Sequence, residues 1–176
     1  MSQASRFGSI PPMTSRRQSR EEGHTRKFLV VIDETTECER AVYYASRRAQ
    51  RTGGKLTMLY VINPSEFGHW IGVETIMRSE AEHEARSILG DYAERLRETV
   101  GIEPEAVIRE GSRAEEVRAL IEDDKDIAIL VLAAGSGSDG PGPLVTEIAG
   151  RSSASFPIPI TIVPGTLGDE DIVALA

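Results

Sequence analysis

The sequence predicts an α/β fold, a five-stranded parallel sheet with helices on both faces in three layers. Three observations carry that prediction. From Lys27 onward, apolar runs of strand length alternate with helix-length segments in the order βαβαβαβαβ, the pattern that right-handed crossovers build into a doubly wound sheet. The fourth run, 127–133, is apolar throughout, as a strand covered on both faces is. A chain of 176 residues supplies one domain of ordinary size with its own core.

Taken in order, the first strand is 28–32, and Thr36 with Glu39 three residues on spells a capping box that opens a helix. Cys38, Ala41, Val42, Ala45 and Ala49 share one face of that helix, and Gly53-Gly54 stops it. The single cysteine, Cys38, has no internal disulfide partner and reads as core packing. The second strand is 56–62. An irregular stretch over 63–72 follows, with Phe67, His69 and Trp70, read as a surface lid.

A long helix then runs to about Val100, with Met77, Ala81, Ala85, Ile88, Leu89, Tyr92 and Leu96 inward. A short strand follows over 105–109. Ser112 and Glu115 spell a second capping box, for a helix carrying Val117, Leu120 and Ile121 inward. The fourth strand leads into a glycine-rich loop and a short helix. The last strand is Ile158-Pro159-Ile160-Thr161-Ile162-Val163. Pro159 cannot donate to a ladder, which places this strand at an edge, and so apolar an edge predicts a homodimer paired from Ile158 to Val163. The competing expectation is that the tail, with Ile172, Val173 and Leu175, folds back over it.

Three segments result: a leader over 1–26, the α/β domain over 27–164 and a tail over 165–176. The leader carries five Arg against Glu21 and Glu22, so with +3 there, the chain's −8 leaves −11 on the rest. An acidic body argues against a nucleic-acid-binding face. With few apolar residues to order it, the leader is expected to be disordered. No stretch approaches the ~20 apolar residues that span a bilayer, and no signal-peptide core is present. The expected setting is cytoplasmic.

The chemistry concentrates in Gly135-Ser136-Gly137-Ser138-Asp139-Gly140-Pro141-Gly142-Pro143. Glycines let backbone amides converge, and the following helix N-terminus adds partial positive charge, so such a junction suits an anion. A plain mobile loop has the same composition. Asp33-Glu34-Thr35-Thr36 and the end of the second strand fall at the same end of the sheet, where ligands bind open parallel sheets.

The arrangement over Lys27 to about Pro164 resembles the universal stress protein (UspA-like) family, of adenine nucleotide alpha hydrolase-like, Rossmann-like fold. The resemblance rests on a first strand ending in Asp33, the second-strand end Tyr60-Val61-Ile62, Gly111-Ser112-Arg113-Ala114 opening the third helix, and the loop after strand four. It implies strand order 3-2-1-4-5, a dimer joined through strand five and, in one branch, bound ATP. By resemblance Asp33 contacts the ribose or adenine side, Val61 offers its backbone to adenine, and the amides of Gly137 and Gly140, in the loop that starts at Gly135, meet phosphates. Ser136, Ser138 and Ser152 add hydroxyls, and Arg151 adds a charge.

The family's ATP signature is Gly-x-x-Gly, nine residues, then Gly-Ser or Gly-Thr. Gly137-Ser138-Asp139-Gly140, nine residues and Gly150 satisfy its glycine spacing, but Arg151 takes the hydroxyl position and Ser152 follows one step late. A second register exists: Leu144, Val145, Ile148, Ala149, Ser152 and Phe156 keep helical spacing through Gly150, placing it inside the helix. Glu34 stands where the family has glycine, and a carboxylate there repels a triphosphate unless Mg²⁺ intervenes.

Gly135-x-Gly137-x-x-Gly140 also has the form of a dinucleotide fingerprint, but the next strand ends Val163-Pro164 rather than in an acid. No Gly-Lys-Ser/Thr follows the glycines, which excludes a Walker loop. A phosphorylated receiver domain needs an acceptor Asp and a Lys where Arg109-Glu110 and Val163-Pro164 stand. The three histidines, His24, His69 and His83, form no metal or nucleophile–base spacing. The expectation is a regulatory, stress-response dimer rather than an efficient enzyme, with ATP or AMP, and Mg²⁺, as the implied ligands. Its rivals are a partner-binding module with a closed crevice, and slow ATP hydrolysis or autophosphorylation on Ser136, Ser138 or Ser152.

Overall fold

The computed structural model describes residues 16–67, 73–138, 140–151 and 156–176. Five parallel strands, β1 (Lys27–Ile32), β2 (Lys55–Ile62), β3 (Glu105–Glu110), β4 (Ile127–Ala134) and β5 (Ile160–Pro164), stand in the order β3-β2-β1-β4-β5. The helices are α1 (Cys38–Thr52), α2 (Glu74–Thr99), α3 (Arg113–Asp123), α4, which opens at Pro143–Val145 and continues with π-type turns over Thr146–Arg151, and α5 (Asp169–Leu175).

Alternation along the central strands divides the core into two layers. Phe28, Val30 and Ile32 of β1 pack with Ala41, Val42, Ala45 and Ala49 of α1 and Leu89 and Leu96 of α2. Leu29 and Val31 point the other way, onto Val117, Leu120 and Ile121 of α3 and Val145 and Ile148 of α4. The small residues of α1 are what let a helix lie this close to the sheet, and Cys38 is among them, buried, with its thiol on the carbonyl of Val31. Of the face expected for α2, Ala85, Leu89 and Leu96 are buried, and Ile76, which lies off that face near the helix start, is 60% exposed. His69 and Trp70 of the expected lid lie outside the described residues.

The helix ends depart from their sequence signatures. Thr36 is not the N-cap of α1: the helix starts after Glu37, and the Thr36 hydroxyl turns to the Glu37 carboxylate at 3.2 Å. Ser112 does stand at the mouth of α3, but its hydroxyl makes no capping bond. Gly53 caps the C-terminus of α1 in the left-handed conformation, as expected.

Of the leader, residues 1–15 lie outside the described residues. Residues 16–26 are docked, because Arg17 finds backbone partners that ordering can recover. Its guanidinium donates to the carbonyl of Ile121 and, at 3.3 Å, to that of Asp124, at the C-terminal end of α3. Gln18 donates its amide to the carbonyl of Lys125, and His24 Nδ1 lies 2.7 Å from Asp126. Cations suit a helix C-terminus, where unpaired carbonyls and the dipole both attract them. The tail forms α5, which packs Ile172, fully buried, against α1 rather than covering β5. Arg40 of α1 ties it down, 2.5 Å from Asp169. Ile162 of β5 is 43% exposed, and no strand among the described residues pairs with that edge.

Candidate functional site

At the C-terminal ends of β1 and β4, where the strand order reverses, Asp33, Thr35, Glu37, Arg113, Pro141 and Gly142 line a crevice of about 60 Å³. Past Arg113, Pro143 and Leu144, which both spaces share, lies a shallower hollow of about 270 Å³ reached by Asn63, Ser112 and Glu147. Pockets for small molecules commonly measure about 300–1,000 Å³, so the hollow approaches nucleoside size and the crevice does not.

The loop after β4 is closed on itself. Gly135 donates its amide to the carbonyl of Pro141 at 3.4 Å, and Gly140 donates to Gly137 at 3.3 Å. Gly140 at φ +84° and Gly142 at φ +95° occupy the left-handed region, which explains glycine at both turning points. Of the two amides that sequence reasoning assigns to phosphate, Gly137 and Gly140, that of Gly140 thus faces a carbonyl of the loop.

Glu37, the residue before α1, completes the closure. A Cβ built on Gly135 would stand 2.9 Å from Glu37 Oε1, and one on Gly165 would stand 2.9 Å from Glu37 Cβ and 3.0 Å from the carbonyl of Ala134. These two glycines therefore accommodate the Glu37 side chain between the ends of β4 and β5. A carboxylate at a helix N-terminus is itself favourable. The chain thus sets a carboxylate of its own beside the glycine loop. With Asp33, Glu37 and Glu147 against Arg113, the site as arranged does not fit a triphosphate.

Asp33 is engaged locally, accepting from the amide of Thr35 at 3.0 Å and from its hydroxyl at 2.5 Å. Cys38 lies beneath; burial pushes its thiol up to about 11, and the same desolvation raises the neighbouring Tyr92. This is a packed thiol, not a nucleophile.

The site residues expected from the sequence are partly brought together. Asp33 reaches the crevice, and Gly135, Gly137, Ser138 and Gly140 lie in the loop beside it. Val61 is buried on the α3 side and does not line the crevice. Gly150 lies within the π-type turns of α4, so the second register holds and the loop is shorter than the signature requires. Arg151 ends those turns, at the far end of the helix from the loop, and Ser152 lies outside the described residues, as does Asp139. Glu34 is exposed, and Glu37 is the carboxylate that lies beside Gly135 and Gly165. Sequence reasoning missed Glu37, Gly165 and Arg113; Arg113 was visible in the opening of the third helix. Among the described residues, no three metal-ligating side chains converge.

An open parallel sheet with its crevice at the strand-order reversal and a glycine loop after the fourth strand defines a doubly wound α/β domain. The model of the universal stress protein family matches residues 24–164, and the chain belongs to that family. Among solved structures it is similar to the universal stress protein UspA from Lactobacillus plantarum, at 18% identity over 78% of this chain and 97% of that one, TM-score 0.65. It is also similar to an Arabidopsis thaliana universal stress protein family protein with AMP bound, at 18% identity over 82% and 94%, TM-score 0.56. A third is a universal stress protein in complex with cAMP, at 16% identity over 80% and 98%, TM-score 0.55. No curated protein matches significantly.

Proposed function

We propose that this is a cytoplasmic regulatory member of the universal stress protein family, acting as a homodimer joined along β5, with the crevice serving as a gated site for a small adenine nucleotide. The carrying observation is Glu37. It stands between Gly135 and Gly165, so a ligand phosphate must displace it, while the hollow beyond Arg113 remains available to a nucleoside. AMP suits such a site better than ATP, because each added phosphate meets more of the carboxylate field. The AMP and cAMP complexes of two similar structures support this ligand class.

Calorimetric titration of AMP, ADP and ATP, with and without Mg²⁺, tests the reading. Wild type should bind AMP weakly, Glu37→Ala more tightly, and Gly140→Val not at all. No heat from wild type or from Glu37→Ala would favour the second reading, a partner-binding module with a permanently closed crevice, which the self-bonded loop supports. The dimer is tested by sedimentation: Ile162→Arg on the exposed edge should give monomers where wild type gives dimers. A wild-type chain that stays monomeric at high concentration refutes it.

A further inference from the structure

The N-terminal end of the sheet carries a cavity unrelated to the crevice. It measures about 320 Å³ and is lined by Ser19, Arg20, His24, Thr25, Arg26, Thr52 and Gly53. Among the described residues no carboxylate lines it. Arg26 stacks over the Phe28 ring at 5.2 Å, which fixes its guanidinium while leaving the donors available. Arg48 lies one turn before Thr52 on α1, and the Thr52 hydroxyl donates to its carbonyl at 2.6 Å.

Arg20, Arg26 and Arg48 make no ion pair and no side-chain hydrogen bond among the described residues. In a chain of net charge −8, carboxylates to pair with them are plentiful. Arg20 and Arg26 nevertheless line one cavity, and Arg26 is held below the usual arginine value first by burial, then by Arg20 and by Arg48. The nearby acids are occupied or turned away. Glu21 pairs with Arg16 at 3.3 Å, Asp126 with His24, and Glu22 is exposed and outside the lining.

Compensation of the α1 dipole explains one arginine here. The C-terminus of a helix carries about half a negative charge, which the guanidiniums of Arg20 and Arg26 exceed. Guanidiniums grouped at this net cost, with hydroxyl donors beside them, match the tetrahedral oxygens of a phosphate. We propose that Arg20 and Arg26, with the hydroxyls of Ser19 and Thr25, form a binding site for a small phosphate-bearing ligand at the N-terminal end of the sheet, opposite the crevice.

Inorganic phosphate and pyrophosphate titrated into the full chain by calorimetry at low ionic strength provide the test. One saturable site is expected, tighter for pyrophosphate. Arg20→Ala and Arg26→Ala should each weaken it about tenfold, the loss of one charge-assisted contact. Arg118→Ala, which removes a guanidinium stacked on Phe156 elsewhere on the surface, should leave it unchanged. Arg20 is exposed, so its variant keeps the fold, checked by circular dichroism. The proposal falls if no saturable binding appears below about 10 mM phosphate, if Arg118→Ala weakens binding equally, or if Glu37→Ala alters it while Arg20→Ala does not.

Discussion

The two ends of the sheet treat charge in opposite ways. At the C-terminal end, where helix N-termini and a glycine loop would by backbone alone attract an anion, the chain supplies Asp33 and Glu37 and turns loop amides onto loop carbonyls. At the N-terminal end, where the close of α1 presents partial negative charge, Arg20 and Arg26 line one cavity with no ion pair among the described residues. Each end is explained in part by the helix dipole, but only one overshoots it. Backbone shape therefore indicates where an anion fits, and side chains decide whether it is admitted.

That contrast can be broken from either side. The largest effect is expected at the basic end, where Arg17→Ala removes the guanidinium that holds the leader on the carbonyls of Ile121 and Asp124. It should cost about 2–3 kcal/mol in urea unfolding and expose residues 16–26 to protease. A loss within error of zero would mean that the docked leader contributes nothing.

Next comes alkali at the acidic end. Cys38 rises from 9.0 to about 11 on folding, so its neutral form contributes stability that is complete below pH 9 and is lost as the pH climbs towards 11. Between pH 8 and pH 10 the loss should be on the order of 1 kcal/mol, and Cys38→Ala should flatten that slope. An unchanged slope in the variant would relieve the thiol of any role.

Glu37→Ala sharpens the comparison directly. Removing the carboxylate should tighten AMP about tenfold, near 1.4 kcal/mol, with no effect on phosphate bound at the opposite end. The smallest effect belongs to Gly140, at φ +84° with open space around it. Gly140→Ala should cost roughly 1 kcal/mol, read as a small fall in Tm.

The sequence made the sheet legible because strand-length apolar runs and helix spacing leave few topologies, and the resemblance over 27–164 selected one of them. It also exposed the register of Gly150, since Leu144, Val145 and Ile148 keep helical spacing straight through it. What escaped was everything settled by distant partners. Arg17 is bound by carbonyls about a hundred residues away, and Thr36 and Ser112 carry a capping signature that their hydroxyls do not honour. Attention to Glu34 was misplaced by three positions, because which carboxylate faces the loop depends on where α1 begins.

Every residue of β1 from Phe28 to Ile32 is buried, alternately under α1 and under α3 with α4. Its side chains are thus sorted like teeth meshing with two different gears. Deleting a single residue in this strand would hand each layer the other's set, with Leu29 and Val31 sent to the partners of Val30 and Ile32. Point substitutions here shave volume, whereas a one-residue frameslip would scramble both layers at once.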